Sequence, residues 1–291
     1  MTGATIPTAR KPFADAPWRD IDAAGLGPAS AVPTMLSAEE CAFYYWLAAH
    51  WARDAGAVVD LGCFAGGSTA RLAAGLAAAG STARIHAYDR FTVNRPVKLR
   101  VLYPAGVARF RGRDILPLAR RFLAPWEARI ALHPGEIEDE GWAGGPVELL
   151  IVDAAKTDRG ADRIAAQFFP ALIAGRSVVV QEDFLHWRQP WLIAQAEALA
   201  DCFELVALCP QAMAAFLVHR VPEPAELQAA RTEAMDDSRL IELLQAARER
   251  HRAAGLAPRV EEAIAAIRAN PGRRIAWKMK RPGPGGEAPA K

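Results

Sequence analysis

Ala57-Val-Val-Asp-Leu-Gly-Cys-Phe-Ala-Gly-Gly-Ser-Thr69 decides how this chain is read. An apolar run, 57–61, carries an acid at Asp60. It then passes through a turn with glycines at 62, 66 and 67 and enters an alanine-rich segment, 70–79. A buried strand, a tight turn and a helix N-terminus are the simplest account of that order. Gly62, Gly66 and Gly67 let the backbone turn sharply and approach a ligand that side chains would keep away. The helix start offers N–H groups and a positive dipole end to a carboxylate or phosphate. The spacing is G-x-x-x-G-G, not the dinucleotide G-x-G-x-x-G, and taken alone it fits a simple tight turn equally well.

Outward from this turn, apolar segments at 57–61, 84–89, 128–133, 147–153 and 177–183 alternate with helical patterns, which predicts a parallel sheet covered on both faces. The segments 203–209 and 213–220 are separated only by a short Pro-Gln turn. They must therefore pair antiparallel, because a parallel crossover needs far more chain. Ser37-Ala-Glu-Glu40 is a capping box that opens a helix running to about residue 55. The reading divides the chain into an extended N-terminal arm (1–34), an α/β domain (35–221), a helical extension (222–270, with helices near 225–234, 237–254 and 259–269) and a tail (271–291). Arg273, Arg274, Lys278, Lys280 and Arg281 surround Trp277 in that tail, as a solvated segment or as an attachment to an anionic surface.

Bulk properties narrow the class. The chain has 291 residues, 52% hydrophobic and 23% charged, with a formal net charge of +2. That balance gives no global reason to expect nucleic acid. Four cysteines, Cys41, Cys63, Cys202 and Cys209, show no C-x-x-C pairing, which argues against a zinc site or a disulfide framework. No signal-peptide pattern opens the chain and no apolar run is long enough to span a membrane, so the expectation is a cytoplasmic enzyme, with a homo-oligomer left open.

Acids close the strands. Asp60 ends the first, Asp89 the second, Asp153 the fourth and Glu182-Asp183 the fifth. Open α/β sheets bind ligands at the carboxyl ends of their strands, near the point where strand order reverses. Asp89 is spaced from the glycine turn so that its two oxygens could accept both hydroxyls of a ribose; its alternative role is to cap the turn before Arg90.

The glycine turn with its preceding acid resembles motif I of the class I S-adenosylmethionine (SAM)-dependent methyltransferases, and the terminal hairpin agrees with their Rossmann-like, mostly parallel seven-stranded fold. The resemblance implies that Asp60, Gly62, Phe64, Gly66, Ser68 and Asp89 hold SAM, with Ser68 near its carboxylate. It puts Gly135 and Glu136 by the adenine and Asp153 at the edge of the cofactor. Asp153-Ala-Ala-Lys156 with Glu182-Asp183 resembles the metal-dependent O-methyltransferases of the catechol and caffeoyl-CoA type. Gly62 to Thr69 and Ala87-Tyr-Asp-Arg-Phe91 resemble the macrocin-type sugar O-methyltransferases. Both likenesses imply Mg²⁺ on Asp153, Glu182 and Asp183, and the catechol and caffeoyl-CoA likeness implies Lys156 as base. Glu182, where these families carry Asp, and Ala155, where many carry a second acid, depart from the pattern. His186 is a rival base. The chemistry is coherent, because Mg²⁺ prefers hard oxygen ligands, a coordinated hydroxyl loses its proton more easily, and a partly desolvated lysine has its ammonium form disfavoured.

Between the second and third strands, residues 90–129 hold ten basic residues against only Asp114 and Glu127, a local excess of +8. Arginine favours forked recognition of phosphate and carboxylate. The expected acceptor is therefore anionic: a nucleotide-sugar, an acidic glycan or a phosphorylated or thioester carrier, unless acids folded elsewhere balance the charge. Trp187, Pro190 and Trp191 are read either as a stacking platform or as helix-to-sheet packing. The sequence reading is a SAM-dependent O-methyltransferase acting on a small-molecule or glycan acceptor. A metal-independent methyltransferase and a non-catalytic SAM-fold binding module are the alternatives.

Overall fold

The structure is a computed structural model, described for residues 11–209 and 212–282. The first ten residues of the arm, the Pro-Gln turn and the last nine residues of the tail lie outside the described residues. Seven strands, β1 (Ala57–Leu61), β2 (Ile85–Asp89), β3 (Ile130–Pro134), β4 (Val147–Val152), β5 (Val178–Gln181), β6 (Phe203–Cys209) and β7 (Met213–Val218), form one sheet in the order β3-β2-β1-β4-β5-β7-β6. β1 pairs parallel with β2, β2 pairs parallel with β3, and β6 runs antiparallel to β7. This is the expected Rossmann-like architecture, a mostly parallel sheet ending in an antiparallel hairpin. Strand order reverses after β3, where the chain returns to lay β4 on the other side of β1, and the carboxyl ends around that reversal are the natural ligand position.

Backbone contacts divide the chain into two compact units, one formed by residues 1–140, 144–151 and 175–178, the other by 141–143, 152–174 and 179–291. In the first unit, Ser37 and Glu40 form the expected capping box at the start of α1 (Ala38–Trp46), which continues through a π-helical turn, Leu47–Trp51. α2 (Gly67–Ala78) follows the glycine turn. α3 (Arg95–Val97) and α4 (Leu116–Leu123) belong to the long connection between β2 and β3.

The described part of the N-terminal arm is not extended. It forms three short 3-10 turns, Lys11–Phe13, Pro17–Asp20 and Gly27–Ala31, that bury Phe13, Trp18 and Leu26. Trp18 meets Phe43 edge-on at 4.8 Å and Phe13 meets Trp46 at 5.2 Å. Burying these aromatic faces on α1 outweighs the low local propensity that reads as open chain. Buried Arg71 donates to Val32 O and Gly67 O at 2.8 and 2.9 Å, which fastens the arm to the start of α2.

β4 is buried along its whole length, yet it carries Glu148 at 0% exposure. Its carboxylate accepts the N–H groups of Arg53 and Ala55 at 2.8 and 3.0 Å and pairs with Arg176 at 2.5 Å. A buried charge is tolerable only when its acceptor sites are filled. Glu148→Ala should therefore lower the unfolding free energy by about 3 kcal/mol, since it leaves Arg176 and the N–H groups of Arg53 and Ala55 without their carboxylate. Chemical denaturation checks this, and an unchanged midpoint would show that water replaces the carboxylate.

In the second unit, α5 (Asp158–Phe168) is capped by Thr157, whose hydroxyl accepts from Gly160 N at 2.8 Å. α6 (Pro190–Ala198), α7 (Pro224–Ala229), α8 (Asp237–Arg250) and α9 (Ala257–Ala269) complete it. The segment after α9 is fastened rather than loose. Asn270 donates to Ala266 O and Lys280 O and accepts from Lys280 N, which closes the 270–280 loop. Among the described residues, no helix is long and apolar enough to cross a membrane.

Candidate active site

In the first unit the candidate cofactor residues gather at the ends of β1, β2 and β3. Gly62 N and Cys63 N donate to Tyr88 O at 2.8 and 3.3 Å, and Gly66 N closes the turn on Cys63 O at 2.8 Å. Gly62 and Gly66 stand at φ of 102° and 94°, where an L side chain is strained. Gly66 and Gly67 serve the packing as well. A Cβ on Gly66 would press on the Leu123 side chain, and one on Gly67 would press on Thr34. The glycine pattern thus records close approach within the protein in addition to ligand access.

Asp89 is the organising group. One carboxylate oxygen accepts Phe64 N at 2.9 Å and the other accepts Phe91 N at 2.6 Å, while Gly135 N donates to its main-chain oxygen at 3.1 Å. Phe64 and Phe91 both hold positive φ, 53° and 50°. Two bulky residues in that region store strain that the surroundings must hold, a signature that clusters at functional sites. Burial raises the Asp89 pKa above the usual carboxylate value, against the two N–H bonds that lower it. Each carboxylate oxygen has two acceptor positions, so capping the turn leaves Asp89 one further position on each. Glu136 lies at the rim in an exposed pair with Arg90 at 3.7 Å.

Asp60 and Ser68 are hydrogen-bonded to each other. Asp60 is 1% exposed, and its Oδ2 accepts the Ser68 and Thr69 hydroxyls at 2.7 and 2.6 Å. Ser68 spends its proton on Asp60, so the hydroxyl is no donor for a ligand carboxylate. The α2 N-terminus, whose N-cap Gly66 supplies no side-chain cap, is the remaining donor there. The sequence reading missed a flat cluster on the neighbouring strands, in which Tyr88 stacks on His133 at 4.2 Å and His133 bonds His86 at 3.1 Å. Tyr88 and His133 are paired across β2 and β3, so the two-residue period of the strands was the available signal.

In the second unit, Lys156 Nζ lies between Asp153 and Asp183, at 2.5 Å from each, and Gln189 Nε2 donates to Asp183 at 2.6 Å. Burial works against the ammonium, but the two carboxylates outweigh it and hold the Lys156 pKa above its ordinary value. Asp183 moves the opposite way. Burial would raise it, and Lys156 with Gln189 brings it below the usual range. The expected desolvated, neutral lysine is therefore reversed, because its environment is two anions and not an apolar wall.

The metal expectation finds no support in the same geometry. The ammonium stands between two of the three expected ligands, and among the described residues no three His, Cys, Asp or Glu side chains are placed to hold a metal ion. Asp153, Glu182 and Asp183 as arranged do not fit Mg²⁺. Millimolar Mg²⁺ should leave the thermal midpoint of the wild-type chain unchanged. Lys156→Ala vacates the place between the two acids and should gain a Mg²⁺-dependent rise; a rise in the wild type instead would restore the metal reading.

His186 is half-buried, which lowers its pKa despite Asp183 nearby. Its Nδ1 accepts Arg188 N at 3.1 Å, which places the neutral ring's proton on Nε2. That tautomer donates and is a poor proton acceptor at Nε2. The stacking platform is also overturned, since Trp191 is fully buried with its N–H on Ala155 O at 3.1 Å and Trp187 packs with Ala266 and Met279. The C-terminal segment, unforeseen here, clasps the Lys156 loop. Ala276 N donates to Lys156 O at 3.0 Å, Ile275 bridges Thr157, and Arg274 pairs with Asp237 at 2.5 Å and Asp158 at 3.8 Å.

No family model and no curated protein matches this chain. Among solved structures it is similar to the SAH-bound methyltransferase PaMTH1 of Podospora anserina, 16% identical over 73% of this chain and 88% of that one, with a TM-score of 0.44. It is similar to cofactor-bound Rv0187 from MTB, 19% identical over 72% and 92%, with a TM-score of 0.45. It is also similar to the pyocyanin biosynthetic protein PhzM, 16% identical over 74% of this chain and 61% of that one, with a TM-score of 0.38. At that distance the likeness carries no argument about activity, which rests on the residues.

Proposed function

We propose that the chain is a SAM-dependent O-methyltransferase that acts on a hydroxyl of a small acceptor without a metal ion. The observation that supports this most is Asp89. It ends β2 beside the glycine turn, holds two strained N–H groups, and keeps an acceptor position on each oxygen for a ribose diol. The N-terminus of α2 complements it as the place for a carboxylate. SAM, when bound, supplies an electrophilic methyl group on a sulfonium.

In this reading Lys156 and the acids beside it handle the acceptor. Lys156 has three N–H donors, of which Asp153 and Asp183 take two. The third holds the acceptor oxygen in line with the methyl group. As the oxygen–carbon bond forms and the sulfur–carbon bond breaks, the hydroxyl proton becomes strongly acidic. The Asp153 carboxylate beside Lys156 then receives it. Orientation supplies most of the rate, as expected for a direct in-line displacement.

The test is incubation of the full chain with methyl-labelled SAM and a panel of hydroxylated small molecules, anionic and neutral. The expected product carries the label as an alkali-stable ether, and turnover persists in the presence of chelator. Label on nitrogen or on a carboxylate, or turnover abolished by chelator and restored by Mg²⁺, would contradict the reading.

A further inference from the structure

The connection between β2 and β3 leaves and re-enters through its own paired backbone. Val93 N donates to Arg113 O at 2.9 Å, Ile115 N to Phe91 O at 2.8 Å, and Thr92 bridges Asp114. The excursion is thus rooted two residues beyond Asp89. Its interior aromatics, Tyr103 and Phe110, pack in one cluster with Phe64 and Phe91 of the candidate cofactor site.

Residues 95–111 enclose an open cleft of about 500 Å³, lined by Arg95, Arg109 and Arg111 with Leu99, Tyr103 and Phe110, and no acid lines it. Lys98 is the framework of this cleft. Its buried ammonium donates to the carbonyls of Phe110 and Gly112 and lies 3.8 Å from the centre of the Phe110 ring, which fixes the 110–112 backbone. Of the ten cations between 90 and 129, Arg90 alone meets an acid, Glu136, among the described residues. Among the described residues, no acid folded elsewhere forms an ion pair with the other nine. Three guanidinium groups around one concavity repel one another and raise the local potential, a cost that a bound polyanion removes. Leu99, 49% exposed, gives the same cleft an uncovered apolar wall.

We propose that this cleft binds the phosphate ester or diphosphate of a small molecule, with Leu99, Tyr103 and Phe110 taking a flat or apolar portion of it. A diphosphate matches three guanidiniums in charge and in forked hydrogen bonding, where a single carboxylate would engage one. Its volume of about 500 Å³ suits a small molecule rather than a nucleic-acid strand or a membrane. That this ligand is the methyl acceptor rests on the O-methyltransferase reading; that the cleft binds phosphate does not.

The experiment is calorimetric titration of inorganic pyrophosphate into the full chain, beside the single variants Arg95→Gln, Arg109→Gln and Arg111→Gln and the triple variant. None of the three is among the proposed SAM-holding residues, so SAM affinity should stay at its wild-type value, and the thermal midpoint should not fall. The expected result is saturable one-to-one binding that weakens with salt, and falls about tenfold with each arginine replaced. Absence of pyrophosphate binding to the wild type, or equal binding to the triple variant, overturns the proposal. So does arginine-dependent binding seen only with a single-stranded oligonucleotide or with anionic lipid vesicles. Pyrophosphate binding without SAM binding would sink the methyltransferase reading and leave the cleft; SAM binding without pyrophosphate binding would do the reverse.

Discussion

Asp89→Asn should weaken SAM binding about a hundredfold. The substitution keeps the shape but removes the charge and turns one acceptor into an NH₂ group, which must then face an N–H donor. Hydrogen bonds to a charged group contribute about 1.5–3 kcal/mol each, and losing about 3 kcal/mol corresponds to roughly two decades in Kd. The variant should also be less stable, because Phe64 N or Phe91 N loses its acceptor at a strained backbone position. A double-mutant cycle separates these effects. In the wild type, a SAM analogue lacking one ribose hydroxyl should bind more weakly than SAM, and in Asp89→Asn the two should bind alike. If the penalty for the missing hydroxyl is the same in both proteins, Asp89 only caps its turn.

The second large effect is expected at Lys156. Lys156→Gln should lower kcat by about 10²-fold, the size expected when the acceptor is misplaced by about an ångström, while SAM affinity is unchanged. The pH profile distinguishes the two roles open to this lysine. As a donor it acts in its charged form, and because its pKa is raised above the ordinary value the rate should not climb between pH 8 and pH 10. A base would give a rate rising with pH across that range.

The stability linkage has a definite sign. Asp183 is depressed in the fold, so its contribution is present above the ordinary carboxylate value, near pH 4, and is lost as pH falls through its lower folded value. Lys156 is raised, so its contribution is present below the ordinary lysine value and is lost only as pH rises through its higher folded one. The gap in thermal midpoint between the wild type and Lys156→Gln should therefore hold through pH 10, and close on the acid side and in stronger alkali. A gap that closes near neutral pH would mean that another group holds the two acids.

The strands were legible because their signal is local. The expected 57–61 and 203–209 coincide with β1 and β6, and the remaining strand expectations differ from the structure by a few residues at their ends. The capping box at Ser37 and the hairpin of β6 and β7 followed from the same short-range chemistry. The chemistry of the strand ends was legible as positions and not as states. Asp153 is three residues from Lys156, but Asp183 is 27 residues away and stands at a positive φ of 56° that no pattern in the sequence announces. Only the fold reveals that Lys156 sits between two anions. For the same reason the arm's aromatics, the burial of Trp191 and the clasp of Ile275 and Ala276 on the Lys156 loop escaped notice. Each depends on a partner far along the chain. Glu148 hid differently, since a lone acid in an apolar strand looks like an interruption until Arg53, Ala55 and Arg176 are seen around it.

The measurement that tests the central claim most directly is calorimetric titration of SAM into the wild-type chain, followed by competition with S-adenosylhomocysteine. The account predicts one-to-one, saturable binding that S-adenosylhomocysteine displaces and that neither Mg²⁺ nor chelator alters. No heat of binding under any of these conditions would contradict it, leaving Asp89 and the glycine turn as scaffold alone.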